Sequence, residues 1–265
     1  MRRMKTLGGC LAALVLTLGA PTAQALPADV AAVQVGEVEA ADAALMTEAF
    51  RALNRGGYAA LDPFLPGLRE ALDRTPAAYP FFSVDGDVAT LRSSDMTALI
   101  MATVMAGKVA PDQASVSVVQ APNVYPMIAL LLTSEAVQRG RYDEAIGYAD
   151  RGLAVQPDEP QLNLERGIAL HGAGRVEEAL ANIDAAIDNL SLFHLSYRGP
   201  MLRQRGFMLI ELGRLDEAEA AYREVLEDEP DNEIALGQLQ YIESQRAGAP
   251  PSEPWRQRPP GVGGD

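Results

Sequence analysis

Cysteine is almost missing from this chain: Cys10 is the only one. A single thiol cannot close an internal disulfide, so the fold must hold itself together by packing. Lysine is nearly missing too, with Lys5 and Lys108 alone, and arginine carries almost all the positive charge. Lysine and arginine together number 22 against 36 aspartates and glutamates, a formal net charge of −14. That balance excludes a phosphate-binding stripe and, with it, nucleic acid as a partner. It disfavours docking on anionic lipid and leaves basic partners as the ones the field attracts, although most of the acids serve simply as solvated helix faces.

Chemistry-bearing patterns are equally scarce. The two histidines, His171 and His194, lie in different segments. No His, Asp and Glu set has metal-ligand spacing, no Gly-rich loop follows a strand and opens a helix, and no Gly-x-Ser-x-Gly occurs. Asp85 and Asp87 bracket Gly86, but the other ligands of a calcium loop and its closing glutamate are missing. No catalytic set, metal or cofactor is therefore expected. His194, beside Phe193 and Tyr197, reads as part of a packed connector more readily than as a polar contact in a binding site.

No apolar run reaches the roughly 20 residues that a spanning helix needs. The longest, Leu7 to Ala20, follows Arg2, Arg3 and Lys5 and precedes Ala23-Gln24-Ala25, a small-x-small cleavage pattern ending at Ala25. This is the layout of a secretory signal peptide over residues 1–25. It predicts a periplasmic or secreted protein with no stable membrane insertion after cleavage; retention as an anchor is the rival reading. Leu7-Gly8-Gly9-Cys10 resembles a lipoprotein box but stands before the apolar stretch instead of after it. Cleavage would remove Cys10 and three basic residues and leave the mature chain still more acidic.

Residues 26–122 suggest a small α+β region. Glu39 to Asn54 carries Ala44, Leu45, Ala49, Phe50 and Leu53 at the spacing of one helical face, and Gly56-Gly57 stops it. Pro63 and Pro66 confine a second helix, ending near Leu72, mostly to its later part. This pair has the outline of a degenerate helical repeat. Phe81–Val84 and Asp87–Leu91 flank Asp85-Gly86, a hairpin turn signal. Ser93, Ser94 or Asp95 can cap a helix running to about Ala106, whose face carries Met96, Leu99, Ile100, Val104 and Met105. Ser115 to Val119 reads as another strand.

The strongest pattern is Gly-Arg-x-Asp/Glu-Glu-Ala, which occurs three times. The copies are Gly140-Arg141-Tyr142-Asp143-Glu144-Ala145, Gly174-Arg175-Val176-Glu177-Glu178-Ala179 and Gly213-Arg214-Leu215-Asp216-Glu217-Ala218. The first two glycines are 34 residues apart and the second and third 39 apart. A period near 34 marks stacked helix pairs that bury their apolar faces jointly. The glycines end the first helix of each pair, Asp143, Glu177 and Asp216 meet the dipole of the second, and the alanines permit a close crossing. Leu153, Ile187 and Leu226 supply the following apolar turns, and Pro157 and Pro230 terminate two units.

Residues 126–190 and 199–232 resemble the tetratricopeptide repeat family, here of an exported bacterial type. Gly167 and Gly206 match the small residue midway along the family's first helix, with Thr133 in that place in the first unit. Arg166 and Arg205 stand where the family has leucine, and Ser191 replaces a terminal proline. Leu192 to Gly199 adds residues before the third unit, where the stack is expected to kink. The resemblance implies a mainly α fold. Three repeats and a capping helix, Glu233 to Arg246 with Leu236, Leu239 and Ile242 inward, occupy residues 123–246. A disordered Pro/Gly-rich tail follows over 247–265.

In the family the first helix of each pair lines the concave face. By that resemblance Leu130, Ser134, Leu164, Ile168, His171, Arg203, Phe207 and Ile210 point into a groove that is mostly apolar. The lysine-and-asparagine set by which some members clamp a terminal carboxylate is absent. The implied function is a non-catalytic scaffold or adaptor that holds a peptide or helix of a protein partner. Two other readings stand beside it: a small ligand-binding or enzymatic unit in residues 39–122 with the repeats as docking arm, and self-association of the groove with the tail around Trp255.

Overall fold

The computed structural model describes residues 36–109 and 116–248. The expected signal peptide with Ala23 and Ala25, the lead-in to residue 35 and the tail from residue 249 with Trp255 lie outside the described residues, as does the predicted strand start at Ser115.

Helix α1 (Glu37–Gly56) ends where Gly57 takes a φ of 68°. A 3-10 turn (Tyr58–Leu61) leads into α2 (Leu65–Asp73), which carries Pro66 in its first turn, where the missing N–H costs nothing. Both helices pack against α4 (Val124–Gln138), burying Ala49, Leu61, Leu68 and Leu72 with Ile128 and Leu132.

A three-stranded sheet follows α2. Strands β1 (Phe82–Asp85) and β2 (Val88–Leu91) are antiparallel with Asp85 opposite Val88. The two turn residues are therefore Gly86 and Asp87, one position later than the Asp85-Gly86 pair expected. Gly86, at φ 58°, takes the first turn position. Helix α3 (Met96–Val109) crosses to β3 (Ser117–Gln120), which lies parallel to β2. Asp95 caps α3, its Oδ1 accepting the Ala98 N–H at 2.8 Å.

The face of α3 also differs from expectation. Ala98, Ala102 and Ala106 are buried, whereas Met96, Ile100 and Val104 are 63%, 64% and 53% exposed. The helix lies close to the sheet and Phe81, and small side chains permit that approach while bulky ones are turned outward. Periodicity alone does not distinguish the two faces, because both are apolar at helical spacing.

Three helix pairs follow: α4 with α5 (Tyr142–Leu153), α6 (Pro160–Gly172) with α7 (Val176–Asp188), and α8 (Arg198–Glu211) with α9 (Leu215–Asp228). Helix α10 (Glu233–Arg246) closes the stack against α9. It buries Ala235 and Ile242, while Leu236, expected inward, is exposed.

The repeated hexapeptide builds the same turn each time. Gly140, Gly174 and Gly213 have φ of 69°, 76° and 71°. The next residue's N–H reaches back five residues: Arg141 to the Ala136 carbonyl, Arg175 to Leu170 and Arg214 to Leu209, at 2.8, 2.9 and 2.8 Å. This is the Schellman closure of a helix end, which only glycine adopts without strain. Each arginine carbonyl then accepts the N–H of the buried alanine that ends the motif. Its guanidinium pairs with the glutamate three residues on, Glu144, Glu178 or Glu217. These pairs are partly or fully exposed and contribute little individually.

The two departures from repeat regularity meet each other. The 3-10 segment Leu192–Tyr197 lengthens the connection from α7 to α8 and lays Phe193 against Phe81 and Phe82, with ring centroids 5.4 and 5.6 Å away. His194 is buried with its ring 4.7 Å from that of Phe81, and burial lowers its pKa; it belongs to a packed connector. Phe81, Phe82, Leu99 and Val118 fill the space between hairpin and α3 around Leu91 and Ala102. The base of the unit is tied down by Tyr79. Its hydroxyl donates to Glu39 at 2.5 Å, its carbonyl accepts from Gln156 at 2.9 Å, and Arg92 lies 3.5 Å over its ring centre.

Candidate binding face

The first helices of the pairs present the residues named from the sequence. Leu130 and Ser134 stand on α4, Leu164, Ile168 and His171 on α6, and Arg203, Phe207 and Ile210 on α8; all eight are half-buried. Leu130 packs on the core shared by α1, α2, α4 and α5, and Leu164 on Ile183, Ala186 and Met201. Ile168, Phe207 and Ile210 border the core of the later pairs. These side chains thus hold neighbouring helices together on one side and keep solvent contact on the other.

Helices α6 and α8 are joined across this face by side chains. His171 Nε2 lies 2.6 Å from Glu211 Oε2, and its ring meets Phe207 edge-on at 5.3 Å. Gln204 Nε2 donates to the Leu164 carbonyl at 3.1 Å. Arg203 is drawn instead to Glu229 at the end of α9, 3.2 Å away, and so serves the junction with α10.

Burial raises two titratable groups in this part of the fold, Glu165 on α6 and Tyr58 in the 3-10 turn after α1. Burial pushes the Glu165 carboxyl up to about 7, against the opposing effect of Ser134. Burial, with the Glu165 charge adding to it, pushes Tyr58 up to about 12. Glu165 takes part in none of the ion pairs among the described residues.

A second raised carboxyl lies at the start of α6. Glu159 is buried, its Oε1 accepts the Gln161 N–H at 3.4 Å, and burial raises it to about 7. Both groups bind a proton more tightly folded than unfolded between roughly pH 4.5 and 7, so their contribution is present below that window and lost as pH rises through it. The ceiling is roughly 3 kcal/mol per group. Urea midpoints are expected to fall between pH 5 and pH 8, and the Glu159→Gln/Glu165→Gln variant to lose that fall. His194, held low by burial, acts in the opposite direction in both proteins, so the difference between them isolates the carboxyls.

A depression of about 590 Å³ opens between α6 and α7, lined by Asn163, Arg166, Asn182 and Asn189. Its polar groups satisfy one another: Asn182 bonds the Asn163 carbonyl, and Arg166 bonds Asn182 and Asp150. Among the described residues no three His, Cys, Asp or Glu side chains converge as a metal site, and no helix is long and apolar enough to cross a membrane.

Fold and face together define a helix-pair solenoid with a side-chain-lined face on its first helices. Residues 130–191 match the model of the tetratricopeptide repeat family. Three solved structures are similar. The first tetratricopeptide domain of Spaghetti (RPAP3), bound to an HSP90 peptide, is 27% identical over 46% of this chain and 93% of its own, with a TM-score of 0.42. The first such domain of human RPAP3 is 29% identical over 47% and 96%, with a TM-score of 0.41. A thermophilic tetratricopeptide protein of Thermus thermophilus is 17% identical over 76% and 98%, with a TM-score of 0.40. No curated protein matches the chain.

Proposed function

We propose that this is an exported, bacterial-type scaffold or adaptor whose first-helix face holds a segment of a protein partner without any covalent step. The observation that carries the reading is the row of half-buried side chains on α4, α6 and α8, apolar apart from Ser134, His171 and Arg203. The repeat turns and closed cores hold that row rigid, which lowers the ordering cost of binding. The working compartment is the envelope space or the exterior, on the strength of the signal-peptide layout of residues 1–25. Fusion of those residues to a reporter active only outside the cytoplasm tests this part.

The binding claim is tested by panning a random peptide display library on the full chain. Wild type is expected to enrich a recurrent pattern of apolar anchors. A Ser134→Arg/Ile168→Glu variant that retains its helical circular dichroism is expected to enrich none of it. Equal enrichment by both proteins contradicts the reading.

A further inference from the structure

Met96, Ile100 and Val104 stand outward on α3 at the i, i+4, i+8 spacing of one helical stripe, each more than half exposed. The 3-10 segment Leu192–Tyr197 packs on α3 and turns Leu192 and Leu195 to solvent, while Phe193 and His194 face inward. These five are the majority of the nine large apolar side chains exposed among the described residues, and all lie on the two insertions that interrupt the repeats. The alanine face already seats α3 on the sheet, so internal packing does not account for the stripe. Apolar surface gathered in one place marks a contact region.

The charge pattern says what the stripe fits. From Met96 to Gly107 no residue is charged, in a chain that is 22% charged. Helix α4 has a similar run over Val124–Ser134 but buries most of it, whereas α3 turns its own outward. The other outward positions, Thr97, Thr103 and Gly107, are small enough for a second helix to lie close. Charge returns only at the ends, with Asp95 before the first turn and Lys108 in the last, both exposed. Asp95 caps the helix through Oδ1, so its Oδ2 can accept from an ammonium. A stripe that is neutral in the middle and oppositely charged at its ends complements itself when a second copy lies antiparallel. Each Asp95 then meets the other copy's Lys108, and Ile100 meets Thr103 and Val104. A parallel arrangement would set like charges together.

We infer that α3 is a self-association surface, packing antiparallel on α3 of a second copy about a two-fold axis near its middle, with Leu192 and Leu195 at the margin. Two chains that each carry a formal −14 repel one another over their acidic faces, so the charge-free stripe is where they can touch. A two-fold contact of this kind closes at the dimer and does not propagate. A helix of 14 residues is about 21 Å long, so the buried area is small and the dimer is expected to form in the micromolar range. No outward side chain of α3 belongs to the first-helix face, so each copy keeps its own. If that face holds a partner segment, the dimer holds two and gains avidity on a partner that offers both. This consequence rests on the binding-face reading; the dimer itself does not.

Sedimentation equilibrium of the full chain across the micromolar range tests it. Wild type is expected to approach the dimer mass, and Ile100→Glu/Val104→Glu, at two exposed positions, to stay monomeric with unchanged circular dichroism. Asp95→Asn, which keeps the cap, and Lys108→Gln are each expected to weaken the dimer about threefold to tenfold, and together no more than either alone. These charge variants leave the stripe intact, so they test the contact even where two glutamates unsettle the helix. A monomeric wild type overturns the inference; flotation with phosphatidylcholine vesicles that Ile100→Glu/Val104→Glu abolishes would then assign the stripe to a lipid surface. A dimer that survives Ile100→Glu/Val104→Glu overturns it too and moves the contact elsewhere, the tail around Trp255 included. A dimer lost with the stripe but indifferent to Asp95 and Lys108 overturns the antiparallel arrangement.

Discussion

Replacing Arg139 and Arg141 together with alanine is expected to remove about 3–5 kcal/mol of folding stability. Glu135, on α4, is fully buried, and both guanidiniums lie against its carboxylate, with Arg139 Nε 2.5 Å from Oε1. The arginines are themselves partly exposed, so they stay hydrated when Glu135 is changed, whereas their removal strands a charge inside the fold. The pair also spans units. Arg139 pairs with Asp62, which follows the 3-10 turn before α2, and Arg141 with Glu144, whose carboxylate accepts the Tyr148 hydroxyl at 2.6 Å. Tyr148 in turn accepts from Arg69 Nε of α2 at 2.8 Å. Either arginine alone still neutralises Glu135, so each single variant should lose much less than the double. Adding Glu135→Gln to the double variant should restore a large part of the loss. Urea unfolding of the four variants beside wild type measures this; a double variant no weaker than its singles would remove Glu135 from the account.

The second large effect comes from glycines inside helices. A Cβ at Gly206, on α8, would lie 2.6 Å from a ring carbon of Tyr222, which is 1% exposed on α9. Gly206→Val forces that ring or the helix aside, at the upper end of the overpacking range, about 3 kcal/mol. Gly147, on α5, has no heavy atom within 4 Å of the same position. There Gly147→Ala removes the entropy cost of a mid-helix glycine and is expected to stabilise by roughly 0.5–1 kcal/mol. Thermal melts of the two variants should move in opposite directions. Equal shifts would mean that the first helix does not cross Tyr222 closely.

The helical stack was legible because its signals are local. A glycine that must take positive φ, the alanine at a crossing and the acids of a helix's first turn all lie within one hexapeptide, and its recurrence announces the period. The turn at Gly86-Asp87 was one residue from expectation because Asp85 and Asp87 flank the glycine alike, and only strand register decides between them. The α3 face was misjudged because burial there is selected by how closely helix and sheet approach, so Ala102 goes in and Ile100 stays out. The Arg-Glu pairs within each hexapeptide could have been read from their i,i+3 spacing. The contact of Phe193 with Phe81 could not, since it links two insertions more than a hundred residues apart.

Site-directed photo-crosslinking tests the central claim most directly. A crosslinking amino acid placed at Ser134, on the first-helix face, is compared with one placed at Gly147, on an open surface of the second helix of the same pair, using a panned peptide as the ligand. The account predicts an adduct from position 134 that unlabelled peptide competes away, and none from position 147. An adduct from position 147 alone, or equal adducts from both, would contradict it.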